Sequence, residues 1–191
     1  FAMKIEMHKE VLLLRGNHES RNMTEMFTFR DEVLDTPGYD EEVYEMFMDV
    51  FDAIPMACKV DNKYLAMHGG ISPDIKKLED INTVNRFQEI PLEGMMCDLA
   101  WSDPADDKNC MYNDWEENRA RDCSYYFGRD PTRDFLDNNK LTTIYRGHQV
   151  KQGGYQQHKW DGPNKPPLVI TVFSAPNYCG TYANKGGIVL I

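Results

Sequence analysis

The sequence has few cysteines, and none of them is arranged to hold a small fold together. The cysteines are five in number, stand far apart and include no Cys-x-x-Cys pair. They are Cys58, Cys97, Cys110, Cys123 and Cys179. We therefore predict neither a disulfide framework nor a zinc site built from paired cysteines, and reduced thiols in the cytoplasm are the simplest interpretation.

Long hydrophobic runs are also missing. No apolar stretch approaches the roughly 20 residues that a membrane-spanning helix needs, and residues 1–10 do not resemble a signal peptide. Because the chain begins at Phe1 rather than at a methionine, we expect it to come from the interior of a longer protein.

Positive charge is scarce and scattered. The formal net charge is -10, with no cluster of Lys and Arg, so a nucleic-acid or anionic-membrane surface is not expected as a partner. A phosphate substrate is still compatible with this charge. Exposed charges are screened beyond about 8 Å at physiological salt, so a local site of metal and arginine would decide binding.

Several common catalytic motifs are absent as well. The chain has no GxxxxGK[ST] phosphate loop, no dinucleotide fingerprint, no complete EF-hand loop and no G-x-S-x-G elbow. What is present is a globular composition, with 41% hydrophobic and 12% aromatic residues in 191. This length and composition predict one domain with its own core.

The hydrophobic pattern predicts a mixed α/β chain. Residues 40–51 carry a helical stripe made of Val43, Met46, Phe47, Val50 and Phe51. Thr24 is a candidate helix cap, Asp130-Pro131 predicts a helix running toward residue 139, and residues 102–119 are interpreted as a surface loop. Strands are predicted at 10–14, 56–60, 64–67, 142–145, 154–160, 168–173 and 187–191.

Three histidines share one context, at the end of a predicted strand beside glycine. His18 follows Gly16-Asn17, His68 precedes Gly69, and His148 follows Gly147. Ligands gather at such strand ends in layered α/β folds, and imidazoles with an Asn amide oxygen suit Zn, Fe or Mn. A structural role is the alternative for any one histidine, but the repeated context favours a shared site. His8 and His158 lack this context and are predicted to lie on the surface.

Arg121 and Tyr178 are two further candidate site residues. The planar guanidinium of Arg121 matches phosphate oxygens, although a surface ion pair with neighbouring acids is the alternative. Tyr178 follows a predicted buried strand within Ser174-Ala175-Pro176-Asn177-Tyr178. A turn or core aromatic is an equally good interpretation of that tyrosine.

Taken together, five segments resemble the phosphoprotein phosphatase family of serine/threonine phosphatases. They occur in the family's order and extend over nearly the whole chain: Arg15-Gly16-Asn17-His18-Glu19, His68-Gly69-Gly70, Trp101-Ser102-Asp103-Pro104, Arg146-Gly147-His148 and Ser174-Ala175-Pro176-Asn177-Tyr178. Residues 23–29, 86–91, 96–98 and 123–125 are most similar to the type-2B, calcineurin branch. The resemblance implies a layered α/β fold, a β-sandwich of mixed sheets flanked by helices, with residues 1–191 forming one metallophosphatase catalytic domain that lacks its N-terminal part.

The resemblance also implies roles for individual residues. Asn17, His68 and His148 would bind the second of two metals, typically iron with zinc or manganese. His18 would protonate the leaving Ser/Thr oxygen, Arg121 would hold phosphate oxygens, and Tyr178 would line the pocket. A metal-bound hydroxide would attack phosphorus in line. Phosphoproteins would be the substrates, and a calcineurin B-like subunit and calmodulin would be partners through segments outside this chain.

The sequence departs from the family pattern in several places. The motifs that supply the first metal's ligands and a second phosphate-binding arginine would precede Phe1, so those ligands are expected outside this chain. Asp122 stands where the family has glycine and could compete for Arg121, and Gly147 replaces alanine. Residues 35–39 are interpreted as a small insertion.

These departures leave three hypotheses. The first is a protein serine/threonine phosphatase whose segment 1–191 alone has negligible activity. The second is a catalytically inactive homologue with a binding or scaffolding role, which Asp122 and the missing ligands motivate. The third is a nucleotide phosphoesterase, which the Trp101-Ser102-Asp103-Pro104 and Ser174–Tyr178 segments disfavour.

Overall fold

The computed structural model describes residues 1–106 and 113–191, so Cys110 and the centre of the predicted 102–119 loop lie outside it. Within these residues the helices are α1 (Ala2–Glu6), α2 (Arg21–Met26), α3 (Phe29–Leu34), α4 (Glu41–Ala53), α5 (Leu78–Ile81), α6 (Met95–Trp101) and α7 (Arg129–Asn139). The strands are β1 (Ala57–Val60), β2 (Tyr64–Met67), β3 (Asp103–Pro104), β4 (Trp115–Glu117), β5 (Tyr125–Phe127), β6 (Thr143–Arg146), β7 (Tyr155–His158) and β8 (Val169–Val172). A short 3₁₀ turn spans Tyr178–Gly180.

Two mixed sheets organise the chain. The larger has the order β1-β2-β6-β8-β7, with β2, β6 and β8 parallel and antiparallel strands at both edges. The smaller has the order β3-β5-β4. The main core joins β2, β6 and β8 to α6 and α7. None of the helices within the described residues is both long and apolar enough to cross a bilayer.

The hairpin between β1 and β2 confirms a local prediction. Asp61 and Asn62 adopt φ of 48° and 52°, and the flanking strands pair Val60 with Tyr64. Two successive residues with positive φ suit the right-handed twist of the strands that they join, and Asn and Asp tolerate that region well. The turn therefore favours the pairing of β1 with β2 through local conformation alone.

Helix α4 also forms as predicted, but its buried face is shifted. Asp40 caps it by accepting a hydrogen bond from the Val43 amide at 3.2 Å. Its buried residues are Tyr44, Met48 and Phe51. Met46, which belongs to the predicted stripe, is 62% exposed. The apolar period alone did not distinguish between these adjacent faces, because Tyr44 and Met48 continue the same helical spacing on the next row.

Four local predictions were wrong: two strands, one helix cap and part of a surface loop. Residues 11–16 form no strand, because the described chain offers them one cross-segment main-chain bond, from Arg15 to Pro55 at 2.9 Å. Residues 187–191 form no strand either. The cap of α2 is Ser20 rather than Thr24, which is buried inside the helix. Residues 102–104, predicted in a surface loop, are buried and contribute β3.

Candidate active site

Sheet register brings two of the predicted histidines together. In the parallel pair of β2 and β6, Met67 lies opposite Arg146. The chain then leaves both strands at the same sheet edge, with His68 directly after Met67 and His148 two residues after Arg146. The carboxyl ends of parallel strands form the usual ligand-binding edge of such sheets. The main-chain amide of Gly147 donates to the His68 carbonyl at 3.1 Å and holds the two exits side by side.

Asn17, His68 and His148, which we call the ligand trio, converge on one point. Oδ1 of Asn17 lies 2.8 Å from Nε2 of His68 and 3.2 Å from Nδ1 of His148. The two ring nitrogens are 3.1 Å apart. Asn17 is 2% exposed, whereas His68 and His148 are partly buried, so the asparagine is the most buried member of the trio.

Electrostatics keep both imidazoles of the trio neutral. Burial and the nearby Arg146 guanidinium lower the pKa of His68 to about 3. The same causes lower the pKa of His148 well below its usual value. A neutral imidazole retains a nitrogen lone pair, which is the form that binds metal.

Glycine makes the close approach of the trio possible. A Cβ on Gly16 would lie 2.7 Å from Nδ1 of His68. A Cβ on Gly69 would lie 2.5 Å from the main-chain carbon of Ala100. Both distances are too short for a side chain, so the Gly16-Asn17 turn and the His68-Gly69 turn reach the site only as glycine.

The ligand trio fits a metal ion. Two ligand atoms at about 2.0–2.1 Å from one metal, at right angles to each other, would be about 3 Å apart. The observed separations of 2.8, 3.1 and 3.2 Å agree with this value. Two neutral imidazoles and an amide oxygen are donors that Fe, Zn and Mn accept. In the part of the chain that the structure describes, no three His, Cys, Asp or Glu side chains form a group suited to a metal, and the trio reaches three donors only through the amide oxygen of Asn17.

His148 carries a further sign of a polar partner. Its Nε2 is buried without a hydrogen bond and lies 4.0 Å from Oδ1 of Asp103. The backbone at His148 is left-handed, with φ of 61°. A carboxylate that accepts from the second nitrogen of a metal-binding histidine commonly orients the ring, but Asp103 lies beyond hydrogen-bond distance from Nε2 of His148.

His18 lies apart from the trio although it follows Asn17 directly. Its ring is partly exposed and packs against Phe27, with centroids 5.0 Å apart. Partial burial, opposed by the Glu19 carboxylate, lowers the pKa of His18. The side chain therefore faces the cleft as a titratable group rather than joining the three converging atoms.

Arg121 is held by a buried carboxylate rather than by its neighbour. Its Nε donates to Oδ2 of Asp103 at 3.0 Å, and the same carboxylate accepts from Arg146 at 2.8 Å. Asp122, expected to compete for Arg121, is exposed and adopts φ of 57°. Asp103 thus fixes the Nε edge of the Arg121 guanidinium, and among the residues that the structure describes no hydrogen bond engages its terminal nitrogens.

Tyr178 reaches the same cleft from the end of β8. Its ring packs edge-on against Phe173 at 5.2 Å and near Tyr182 at 5.7 Å. The cleft has a volume of about 600 Å³ and is lined by all six residues singled out in the sequence: Asn17, His18, His68, Arg121, His148 and Tyr178. Residues far apart in sequence therefore share one cavity.

Two buried arginines support the site and were not assigned a role from sequence. Arg15 is fully buried and donates to the carbonyl oxygens of Glu19, Arg86 and Gln88. Arg146 donates to the Gly69 carbonyl at 2.6 Å. A signal was available, because each arginine directly precedes the glycine of a histidine motif.

His158 corrects a sequence prediction. It was expected on the surface, yet it is 4% exposed, with Nε2 3.2 Å from the Thr171 hydroxyl. It occupies a buried position of β7, paired with β8, where the period of two turns its side chain inward. His8, by contrast, is exposed as predicted.

Comparison with known proteins agrees with this architecture. A family model described as "Calcineurin-like phosphoesterase" matches residues 1–152. The chain is 38% identical over 198 residues to the serine/threonine-protein phosphatase 2B catalytic subunit A1 of Saccharomyces cerevisiae, covering 99% of the chain and 35% of that protein. Subunit A2 of the same yeast is 36% identical over 215 residues, again with 99% and 35% covered. The chain thus spans about a third of the length of the curated relatives it matches.

A solved structure supports the fold independently. It is a serine/threonine phosphatase from Saccharomyces cerevisiae, described as similar to human phosphatase PP5, with a TM-score of 0.82 and 36% identity. The match covers 97% of this chain and 54% of that one. The mixed α/β metallophosphoesterase fold predicted from the motifs is confirmed. The chain belongs to the calcineurin-like phosphoesterase family.

Proposed function

We propose that the protein is a serine/threonine phosphatase that hydrolyses phosphoserine and phosphothreonine in proteins with the help of two metal ions. The observation that carries the proposal is the convergence of Asn17, His68 and His148 within 3.2 Å of one another, in the cleft that Arg121 also lines. A metal-binding cluster beside a cationic phosphate ligand suits hydrolysis of a phosphate ester.

The trio would hold one of the metals, and the remaining ligands would come from outside this chain. Bound metal ions would supply Lewis-acid charge and an acidified water for the attack on phosphorus. The buried position of the trio and its neutral imidazoles favour binding without competition from protons. We propose iron with zinc or manganese as the metals.

The other side chains of the cleft act on the substrate. His18, partly exposed beside Phe27, would donate a proton to the leaving oxygen of serine or threonine, a contribution typically worth about 10²–10⁴ in rate. Arg121 would bind the phosphate oxygens through its terminal nitrogens, because Asp103 occupies its Nε. Its positive charge stabilises the negative charge that grows on the phosphoryl group. Tyr178 would line the pocket.

The proposed partners rest on the family resemblance, and the proposed location rests on the dispersed cysteines. The yeast relatives are phosphatase 2B catalytic subunits. We propose a cytoplasmic enzyme acting on phosphoproteins, with a calcineurin B-like regulatory subunit and calmodulin binding to parts of the protein outside this chain.

The experiment is metal analysis and phosphopeptide turnover of the full-length protein and three variants. His18→Asn should lower turnover while metal content stays near the parent value. His68→Ala and His148→Ala should lower metal content as well as turnover. Loss of metal in His18→Asn would make His18 a ligand and contradict its assignment. A fully metallated parent protein without phosphatase activity would favour the inactive scaffolding homologue instead.

A further inference from the structure

Lys151 lines the cleft but has no part in the chemistry described so far. It is half-buried and belongs to the loop that follows His148. Among the described residues, no carboxylate lies within ion-pairing distance of its ammonium group. The cleft therefore holds two strongly basic side chains, Arg121 and Lys151, of which only Arg121 is paired.

The backbone on both sides of Lys151 is anchored. The Gly154 amide donates to the Lys151 carbonyl at 2.9 Å, and the Lys185 amide donates to the Gln152 carbonyl at 3.0 Å. Gly154 adopts φ of 82°, and a Cβ there would lie 2.7 Å from the main chain of Gly186. The loop is thus packed against residues 182–187, and the lysine stem starts from a defined position at the cleft wall.

The electrostatic setting of Lys151 favours an anionic ligand. Burial lowers the pKa of Lys151, and the Arg146 guanidinium lowers it further, against the opposing fields of Asp106 and Asp103. A half-buried ammonium without a close counter-ion gains from an incoming anion. The formal net charge is -10, but distant exposed charges are screened beyond about 8 Å at physiological salt, so a cation in the cleft itself decides whether an acidic segment binds.

The size of the cleft indicates which anion this is. A cavity of about 600 Å³ is in the range of sites that hold more than a single small group. Under the proposed function, Arg121 binds the phosphate oxygens and the ligand trio holds the metal beside them. Consecutive Cα atoms of a peptide lie about 3.8 Å apart, so a residue next to the phosphorylated one stays within reach of the long Lys151 side chain at the wall of this cavity.

We propose that Lys151 is a specificity-determining residue whose ammonium group binds a substrate carboxylate immediately before or after the phosphorylated residue. The protein thereby prefers acidic phosphorylation sites. This inference rests on the proposed function, since it concerns the choice among phosphopeptides at the same cleft. A lysine suits the task because its compact charge sits on a flexible stem that adapts to either neighbour of the phosphoserine.

The test uses the full-length protein and phosphoserine peptides that differ only by Asp or Asn at the preceding or following position. The parent protein should show a kcat/KM about fivefold higher for one of the Asp peptides, as expected of a partly exposed ion pair. Lys151→Met, which keeps the stem and removes the charge, should abolish this preference through KM. Lys151→Arg should retain it, and Lys165→Met, an exposed control in the 161–167 loop, should behave like the parent.

Para-nitrophenyl phosphate, which carries no flanking carboxylate, separates the possible outcomes. Its turnover should be unchanged in Lys151→Met. An equal loss on this compound and on both peptides would mean that Lys151 acts on the phosphate or on the fold, and would overturn the inference. Equal rates for Asp and Asn peptides in the parent protein would overturn it too, while leaving the phosphatase assignment intact. Absence of turnover on every substrate would instead overturn the proposed function, and the inference with it.

Discussion

Gly16 shows how strongly one missing side chain can control a site. A methyl group at this position would lie 2.7 Å from His68 Nδ1 and 2.8 Å from Glu19 Oε2. We expect Gly16→Ala to displace His68 and lower metal content several-fold in the full-length protein, with a loss of about 1–3 kcal/mol in unfolding free energy from overpacking. Metal analysis and denaturant unfolding would measure the two effects.

Gly147 provides the matched control for that substitution. A Cβ there would lie 3.7 Å from His68 Nδ1, an ordinary contact, and the backbone is not left-handed. Gly147→Ala should therefore keep its metal and change stability by less than about 1 kcal/mol, since alanine narrows the unfolded ensemble. If the two variants lost metal equally, the close approach at Gly16 would not be the cause.

His158 links a buried side chain to stability in acid. Burial lowers the pKa of His158 to about 3 in the folded state, against about 6.5 in an unfolded chain. Between about pH 6.5 and pH 3 the unfolded chain binds more protons at His158 than the folded protein does. Lowering the pH through this range therefore favours unfolding. At pH 5 the contribution of His158 should lower the free energy of unfolding by about 2 kcal/mol relative to pH 7. Urea unfolding across this range should show a shallower pH dependence for His158→Gln.

The exposed His8 is the control for this experiment. It lies on the surface, where folding changes its surroundings little. His8→Gln should give a stability profile parallel to that of the parent protein. A profile of His158→Gln that also stays parallel to the parent would show that His158 does not set the acid sensitivity.

At the scale of elements, one ion pair connects the Gly16-Asn17 turn to helix α4. Arg15 donates to Oδ1 of Asp52 at 2.7 Å, with the arginine side chain fully buried and the aspartate 14% exposed. Asp52→Asn would leave a buried guanidinium without its counter-charge, which typically costs about 3–5 kcal/mol. Denaturant unfolding should show a free energy of unfolding lowered by that amount. Metal content should fall as well, because the Gly16-Asn17 turn loses its anchor.

Asp49 on the same helix separates this effect from loss of helix charge. It is exposed, and Asp49→Asn should leave the free energy of unfolding within about 0.5 kcal/mol of the parent value. Equal destabilisation by both substitutions would point to the net charge of α4 rather than to the Arg15 contact.

Elements whose hydrogen bonds are local were predictable from sequence. Helices α4 and α7 and the β1–β2 hairpin appear close to their expected bounds, because capping residues, a turn pair and short-range periodicity determine them. The predicted strand at 10–14 failed because a strand also needs a neighbour to take its backbone groups. An apolar run says that a segment is suited to burial, but not whether another strand lies beside it.

At the scale of the whole molecule, the ligand trio implies a limited metal capacity. The described residues bring together two histidines and one asparagine, and they contain no group of three His, Cys, Asp or Glu that could hold a metal. Residues 1–191 expressed alone should bind at most one equivalent of zinc or manganese and turn over phosphopeptides negligibly. Metal titration and a phosphopeptide assay would measure both, with the full-length protein as reference. Two tightly bound equivalents, or full turnover, would contradict the prediction.

The sequence by itself determined the family motifs, the fold class and the identity of the chemically capable residues. Each of these depends on residue types and spacings within short segments, as in Gly16-Asn17-His18 or Arg146-Gly147-His148. Only the tertiary structure decided that Asn17, His68 and His148 meet, that Asp103 pairs with Arg121, and that Lys151 lines the same cavity. These relations depend on the register of β2 against β6 and on loops packed against distant strands. These contacts join residues 51 and 131 positions apart in the chain. Sequence periodicity reports only which face of a local segment is buried, so it does not show which distant segment lies against that face.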